Sequence, residues 1–487
     1  MFVGRHRDMR ILQEAYEAPG LQMVVVYGRR RVGKTSLLHE FVKDKPRVRY
    51  FTAQETSAAE NLRLLSGRLL EDVSSKDPMM LEPSDPARAL PHFGSFEAAF
   101  EHVFAEAREQ RTVLVLDEYP YLAQSYPPLS SLLQSLIDAA VQSSQRAGKA
   151  GSQLFLVLCG SSLSFMEHQV LGEKSPLYGR RTAQVRVEPF DVFDARELLG
   201  SLSSQKVVEL YSLVGGIPLY LEKLQPTKSV ASNIATSILR PGAYLYVEPQ
   251  NYLMQAVANP AQYNAVITAI AKGCVRSKDI SDATGQSTPA VNKLLTNLME
   301  MRIVERVTPL VRANKKQVRY RLADELFRFW FSFAPRYATA IEADMAEAVA
   351  QRIAEPQALS TYVGPAFEEV CRQWLIRMMR SGAIPILPRA VGTWWGSDPR
   401  SKQPEEIDIV VEGADGELLV GECKWRHEKT GLEVLQTLRR RASLLERPVT
   451  TYYLFSRSGF TAACRKQAEE LGNVQLLTVE EMFAAVR

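Results

Sequence analysis

Met23 to Tyr27 form an apolar run that stops at a glycine, and TVLVLD at 112–117 and LFLVLC at 154–159 repeat the pattern further along the chain. Runs apolar on both faces predict central strands of a parallel sheet. Helical spacing follows the first run, with Leu37, Leu38 and Phe41 on one face. Beyond residue 260 the pattern shortens. QYNAVITAIAKG, SKDISDATG and STPAVNKLLTNLMEM predict three short helices punctuated by Gly273 and Gly285, with Thr288-Pro289 as cap and first turn of the third. RIVERVTPLVRANKKQVRYRL then reads as two β-rich runs around Asn314-Lys315, and LADELFRFWFSFAPRY as an aromatic packing helix. From Thr361 an amphipathic helix leads into the strand-like segments AVGTWWG, EEIDIVVEG and ELLVGECKW. A helix, the strand VTTYYLFS, the helix TAACRKQAEELG and VQLLTV complete the chain.

Composition narrows the class. With 487 residues, 46% hydrophobic and 23% charged, the chain predicts a multidomain globular protein. The five cysteines are scattered without a C-x-x-C pair, which fits a reducing, cytoplasmic setting better than a zinc or disulfide framework. No apolar run approaches a membrane span, and no leader segment is expected. The net charge of +4 is uneven, since Gln262 to Glu325 alone holds eleven Lys/Arg against six Asp/Glu, a surplus of five. KDPMMLEPSDPARALPHFG reads as a Pro-rich surface loop.

The first strand ends in Gly28-x-x-x-x-Gly33-Lys34-Thr35-Ser36, the phosphate-binding P-loop spacing. Glycines let backbone N–H groups curl around phosphates, and the helix N-terminus adds its positive dipole end. Lys34 is expected on the terminal phosphates of ATP and Thr35 on Mg²⁺. TVLVLDEYPYL supplies the complementary acids, Asp117 for the Mg²⁺ shell and Glu118 to orient or activate the attacking water. The third apolar run ends in Ser161 and Ser162, which resembles the place where AAA+-type ATPases carry a polar sensor of the γ-phosphate. Arg180 and Arg181 in SPLYGRR are either an arginine finger for a neighbouring subunit, implying a homo-oligomer, or solvated surface arginines.

FVGRHRDMRIL, YGRRRVGKTSLL, LDEYPYL, CGSS…SPLYGRR and GGIPLYL together resemble the archaeal-type ATPases of the STAND branch of AAA+-related P-loop proteins. The resemblance implies an α/β ATPase core with a helical lid. It also implies a nucleotide-sensing role for Gly216-x-Pro218, for which a helix-breaking turn is the alternative. The expected organisation is an ATPase core at 1–190, a lid at 191–255, a winged helix-turn-helix at 256–335, a helical linker at 336–360 and a last domain at 361–487.

Three helices and a hairpin wing make a winged helix-turn-helix. Its third helix would offer Asn292, Lys293, Thr296 or Asn297 to a DNA groove, with Arg312, Lys315, Lys316 and Arg319 over phosphates. Packing against the rest of the protein is the competing role.

The element order after Thr361 is that of the PD-(D/E)XK nuclease core. Asp408 lies fourteen positions before Glu422, and Glu422 and Lys424 share a strand face. Two carboxylates and a lysine suit Mg²⁺-assisted, or Mn²⁺-assisted, phosphodiester hydrolysis. Glu368 is the expected additional acid, with Glu369 competing, and Gln436 a supporting residue. The alternative for Glu422 and Lys424 is an ion pair at a strand end. The sequence thus predicts an ATP-hydrolysing, nucleic-acid-binding protein, DNA first, with a metal-dependent nuclease-like domain. Its rival is an ATP-dependent regulatory switch whose last domain only binds.

Overall fold

The computed structural model describes residues 2–70, 92–147, 152–311 and 317–486, and the chain divides into two compact units, Met1–Glu188 and Pro189–Arg487. Most of the predicted Pro-rich loop, through Pro91, lies outside the described residues.

The first unit is built on five strands: β1 (Gln22–Tyr27), β2 (Val48–Thr52), β3 (Thr112–Asp117), β4 (Leu154–Gly160) and β5 (Ala183–Arg186). They pair in the order β2-β3-β4-β1-β5, every pair parallel. The three apolar runs are its inner strands, β1, β3 and β4, and all three are buried along their whole length. Alternation along β1 explains why no polar break is tolerated. Met23, Val25 and Tyr27 pack into the core on one sheet face, and Val24 and Val26 into that on the other. The helix Lys34–Val42 follows β1 and buries Leu37, Leu38 and Phe41, as its spacing predicts.

The second unit begins with short helices around Gly216 and continues through the helices Pro260–Ala271, Ser277–Thr284 and Thr288–Glu300. The third starts one residue earlier than expected. Ser287 precedes its first turn without a side-chain cap, and the Thr288 hydroxyl instead meets Ser281 Oγ at 3.3 Å. Two short antiparallel strands, β6 (Val304–Val307) and β7 (Arg319–Leu322), follow. The aromatic helix Glu325–Phe333 is core, with Phe327 and Phe329 fully buried.

A second sheet closes the chain, made of β8 (Pro388–Ser397), β9 (Pro404–Gly413), β10 (Leu418–Lys424), β11 (Thr451–Ser456) and β12 (Val474–Thr478), in the order β12-β11-β10-β9-β8. β9 pairs antiparallel with both β8 and β10, whereas β10, β11 and β12 are parallel. The helix Pro356–Arg380 contributes Phe367, Val370 and Leu375 to the core under one face, and Leucines 435 and 438 of the helix Leu432–Ser443 pack against the other. The core under the first face continues without interruption from Phe190 to Phe483. Segments read as lid, helical trio, linker and last domain therefore share one interior.

Candidate nucleotide site and acidic cluster

The loop between β1 and its helix has the backbone that phosphate binding needs. Gly33 sits at φ 89°, a conformation glycine adopts without penalty. A Cβ at Gly28 would fall 2.4 Å from the Val187 carbonyl oxygen, so no other residue fits there. Lys34 is buried, and its Nζ donates to the carbonyls of Gly28 and Arg29, each at 3.0 Å. Burial lowers the lysine's pKa, while the nearby acids, Glu118 and Asp117 among them, oppose that shift. Thr35 and Ser36 open the helix directly behind it.

The acids predicted from LDEYPYL meet this loop. Thr35 Oγ1 donates to Asp117 Oδ2 at 3.1 Å, and Tyr50 OH donates to the same oxygen at 2.9 Å. The other Asp117 oxygen accepts the Glu118 backbone N–H at 3.0 Å. A hydroxyl and a carboxylate oxygen side by side are hard donors of the kind Mg²⁺ takes beside a nucleotide. Glu118 turns out of β3 with φ 51°, a left-handed conformation uncommon for a non-glycine residue. Its Oε2 accepts Ser161 Oγ at 2.9 Å and the Ser161 N–H at 3.3 Å. The expected sensor serine thus holds the expected water-activating acid.

Arg180 makes a two-pronged ion pair with Asp138, at 2.8 and 2.7 Å, so its guanidinium is already engaged within the first unit. Pro218 opens the helix Pro218–Glu222 in the second unit. Two residues earlier, a Cβ on Gly216 would fall 1.7 Å from the Phe190 carbonyl oxygen, which gives that glycine a packing reason. Sequence reasoning missed Tyr50, which steadies Asp117, and Arg5, whose Nη2 donates to the P-loop carbonyl of Val32 at 2.7 Å. Arg5 lies in the quoted FVGRHRDMRIL, so that motif already held the signal.

In the second unit, Asn292, Lys293 and Thr296 are exposed on the helix Thr288–Glu300. Asn297 is turned inward, donating to Tyr263 OH at 2.6 Å, and leaves the proposed groove-reading set. Arg312, Lys315 and Lys316 lie outside the described residues. Arg319, expected over phosphates, instead pairs with Glu406 at 2.8 Å and covers the Trp395 ring at 4.3 Å. Together with the Leu310 N–H bonded to the Thr393 carbonyl at 2.9 Å, this ties the β6–β7 segment to β8 and β9.

Asp408 owes its place to a β-bulge. Gly392 pairs with Val410 and Trp394 with Ile407, so Thr393 alone faces both Asp408 and Ile409. Thr393 Oγ1 donates to the Ile407 carbonyl at 2.7 Å. The extra residue breaks the alternation, and Ile407 and Val410 therefore pack into one core while Ile409 and Val411 pack into the other. Asp408 Oδ2 accepts the Cys423 N–H at 2.8 Å.

Glu422 is buried, with Lys424 Nζ at 2.6 Å from its Oε1 and Arg441 Nη1 at 3.1 Å from the same oxygen. The shared face of Glu422 and Lys424 thus brings them into an ion pair. Arg441 was not anticipated. It also donates to Glu405 at 2.8 Å. Burial, and then the charges of Glu422 and Glu368, push the Asp408 carboxyl well above its usual range. Burial also pushes Glu368 up, to about 7, against the opposing pull of Arg372. Burial works to lower the Lys424 pKa, but Glu422 and Asp408 outweigh it and keep the side chain an ammonium. Glu369 faces Arg321 at 3.8 Å and Arg372 at 3.4 Å, the two arginines whose charge also acts on Glu368. Gln436 is exposed. Among the described residues no three His, Cys, Asp or Glu side chains form a ready metal cluster. The chemistry of the donors partly fits a divalent cation: Asp408 and Glu368 lie close enough to Glu422 or to each other to feel like-charge repulsion, whereas Glu422 is already compensated by two cations.

Comparisons with known proteins cover both units, and the first match crosses the boundary between them. Residues 2–224 match a family described as an ATPase domain predominantly from Archaea. Residues 330–435 match one described as archaeal and bacterial proteins of unknown function. An uncharacterized protein of Methanocaldococcus jannaschii is 27% identical over 432 residues, 88% of this chain and 88% of its own length. Among solved structures, the Aeropyrum pernix ORC1 protein in complex with DNA aligns at 15% identity and a TM-score of 0.31, over 70% of this chain and 95% of its own. AMPPCP-bound DnaA from Aquifex aeolicus aligns at 13% identity and a TM-score of 0.30, over 62% and 90%. The family match over residues 2–224 supports a P-loop ATPase domain that spans the first unit and reaches into the second. Among the described residues, no helix is long and apolar enough to cross a membrane.

Proposed function

We propose that this protein hydrolyses ATP in its first unit and acts on nucleic acid in its second, where Asp408, Glu422 and Lys424 serve phosphodiester cleavage gated by the nucleotide state. The observation that carries the reading is the bulge on β9. It brings the half-buried Asp408 carboxyl under the charge of Glu422 and Glu368 beside a lysine. Such a gathering of like charges is costly without a cation and is typical of functional sites.

Each residue then has a task. Lys34 neutralises the terminal phosphates of ATP, and Glu118, held by Ser161, orients the attacking water. Thr35 and Asp117 would hold the Mg²⁺ that accompanies the nucleotide. In the second unit Asp408, Glu422 and Glu368 would hold Mg²⁺ or Mn²⁺, which when bound polarises a phosphoryl oxygen and acidifies water. Lys424 steadies the charge that develops on the phosphate. DNA is the favoured substrate because the basic helix–strand segment presents Lys293 to solvent in a winged-helix order.

A second reading has its own observation. Glu422 is closed off by Lys424 and Arg441, as a purely structural charge network would be. In that case the second unit only binds, and ATP controls an assembly.

A thermal-shift titration with Mn²⁺ in the Lys34→Ala background separates the two readings, because it removes the nucleotide-linked site. The nuclease reading expects Mn²⁺ to raise the melting temperature, through a stabilisation of about 2.7 kcal/mol at a hundredfold excess over Kd. That rise disappears in Asp408→Asn. A flat response in the background protein leaves the binding reading.

A further inference from the structure

A second candidate site lies at the far end of the helix Leu432–Ser443. There a cavity of about 500 Å³ is lined by Arg439, Arg440, Ser443, Arg447, Val449 and Tyr452, with no carboxylate among its lining residues. Cations are common in the last turn of a helix, where the dipole favours them, and this accounts for Arg440. It does not account for Arg447, which comes from beyond the helix and also lines the cavity.

The donors still available point to what the cavity takes. Arg440 reaches Asp398 and Glu405 through its two terminal nitrogens, and Arg447 reaches Glu412 and the Gly416 carbonyl through its own. Each therefore keeps its Nε–H. Among the described residues, Arg439 has no ion pair or hydrogen bond, and the Tyr452 hydroxyl has no partner. Ser443 Oγ donates to the Arg440 carbonyl at 2.7 Å and keeps its lone pairs. Guanidinium forks recognise phosphate oxygens, and a phosphate monoester carries close to two charges near neutral pH. A phosphodiester carries only one. The cavity is also larger than a phosphate needs, and Tyr452 with Val449 offers an apolar wall for a flat ring.

We infer that this cavity binds the terminal phosphate of a nucleotide, either free or as the phosphorylated end of a strand. The site is separate from the P-loop and from Asp408. It is also linked to the acidic cluster, because Glu405 is shared between Arg440 and Arg441, and Arg441 holds Glu422.

Calorimetric titration of the full-length Lys34→Ala protein tests the inference, since that background removes nucleotide capture at the P-loop. AMP is expected to bind and adenosine is not. Arg439→Ala is expected to weaken AMP at least tenfold with an unchanged melting temperature, because its side chain is exposed and unpaired. Tyr452→Phe gives a smaller loss. A 5′-phosphorylated oligonucleotide that binds more tightly than its unphosphorylated twin identifies a strand end as the source, while AMP binding without that preference identifies the free nucleotide. If AMP and adenosine bind alike, if neither AMP nor the phosphorylated strand binds, or if Arg439→Ala titrates like its parent, the inference fails. Binding is the readout, so an absence of cleavage at Asp408 leaves the outcome unaffected.

Discussion

At the scale of a single side chain, Glu118 is the proposed water-orienting acid of the first unit. Its left-handed backbone and its bonds from Ser161 fix the direction of one carboxylate oxygen. Glu118→Gln is therefore expected to retain ATP and lose about 10²–10⁴ in turnover, the usual contribution of a positioned base. Lys34→Ala loses nucleotide binding itself. Single-turnover hydrolysis with bound-nucleotide analysis distinguishes the two, and normal turnover in Glu118→Gln would remove the acid from its role. Ser161→Ala should fall between parent and Glu118→Gln in kcat while keeping its affinity for ATP, because Ser161 acts through Glu118. Tyr50→Phe strips a hydrogen bond from Asp117 at a cost of about 0.5–1.5 kcal/mol. Denaturant melts show that cost, and weaker Mg·ATP binding accompanies it.

Among the elements, the P-loop, β3 and the paired strands of the second sheet were legible because each rests on a local pattern. A continuous apolar run ending in glycine or paired acids can be read without knowing its neighbours. The bulge at Asp408 was not legible in this way. It arises from the pairing of β8 with β9, and nothing in EEIDIVVEG marks the extra residue. The ion pairs of Glu422 with Arg441 and of Arg319 with Glu406 also join residues far apart in sequence. Arg319 illustrates the consequence, since a basic residue in a predicted wing reads as a phosphate contact until its partner is seen. Arg319→Ala is expected to cost about 0.5–1 kcal/mol of stability, the worth of a partly exposed pair and ring contact, and to leave the salt dependence of DNA binding unchanged. Lys293→Ala should do the reverse. It should leave stability alone and reduce the slope of log affinity against log salt by about 0.9. An unchanged slope in Lys293→Ala would assign the exposed helix to protein contacts.

For the whole molecule, the central claim is that an ATPase unit governs nucleic-acid cleavage at Asp408. The second unit shares one core from Phe190 to Phe483, and in the proposal a change at its N-terminal helices would pass through these packed side chains. Incubation of the full-length protein with end-labelled DNA and RNA, in Mn²⁺ and with or without ATP, tests the claim most directly. Asp408→Asn and Glu118→Gln proteins are run alongside. The expected result is cleavage by the parent that changes in rate with ATP, none by Asp408→Asn despite retained binding, and a nucleotide response locked in one state in Glu118→Gln. Cleavage that persists in Asp408→Asn, or no cleavage by the parent under any nucleotide condition, would contradict it.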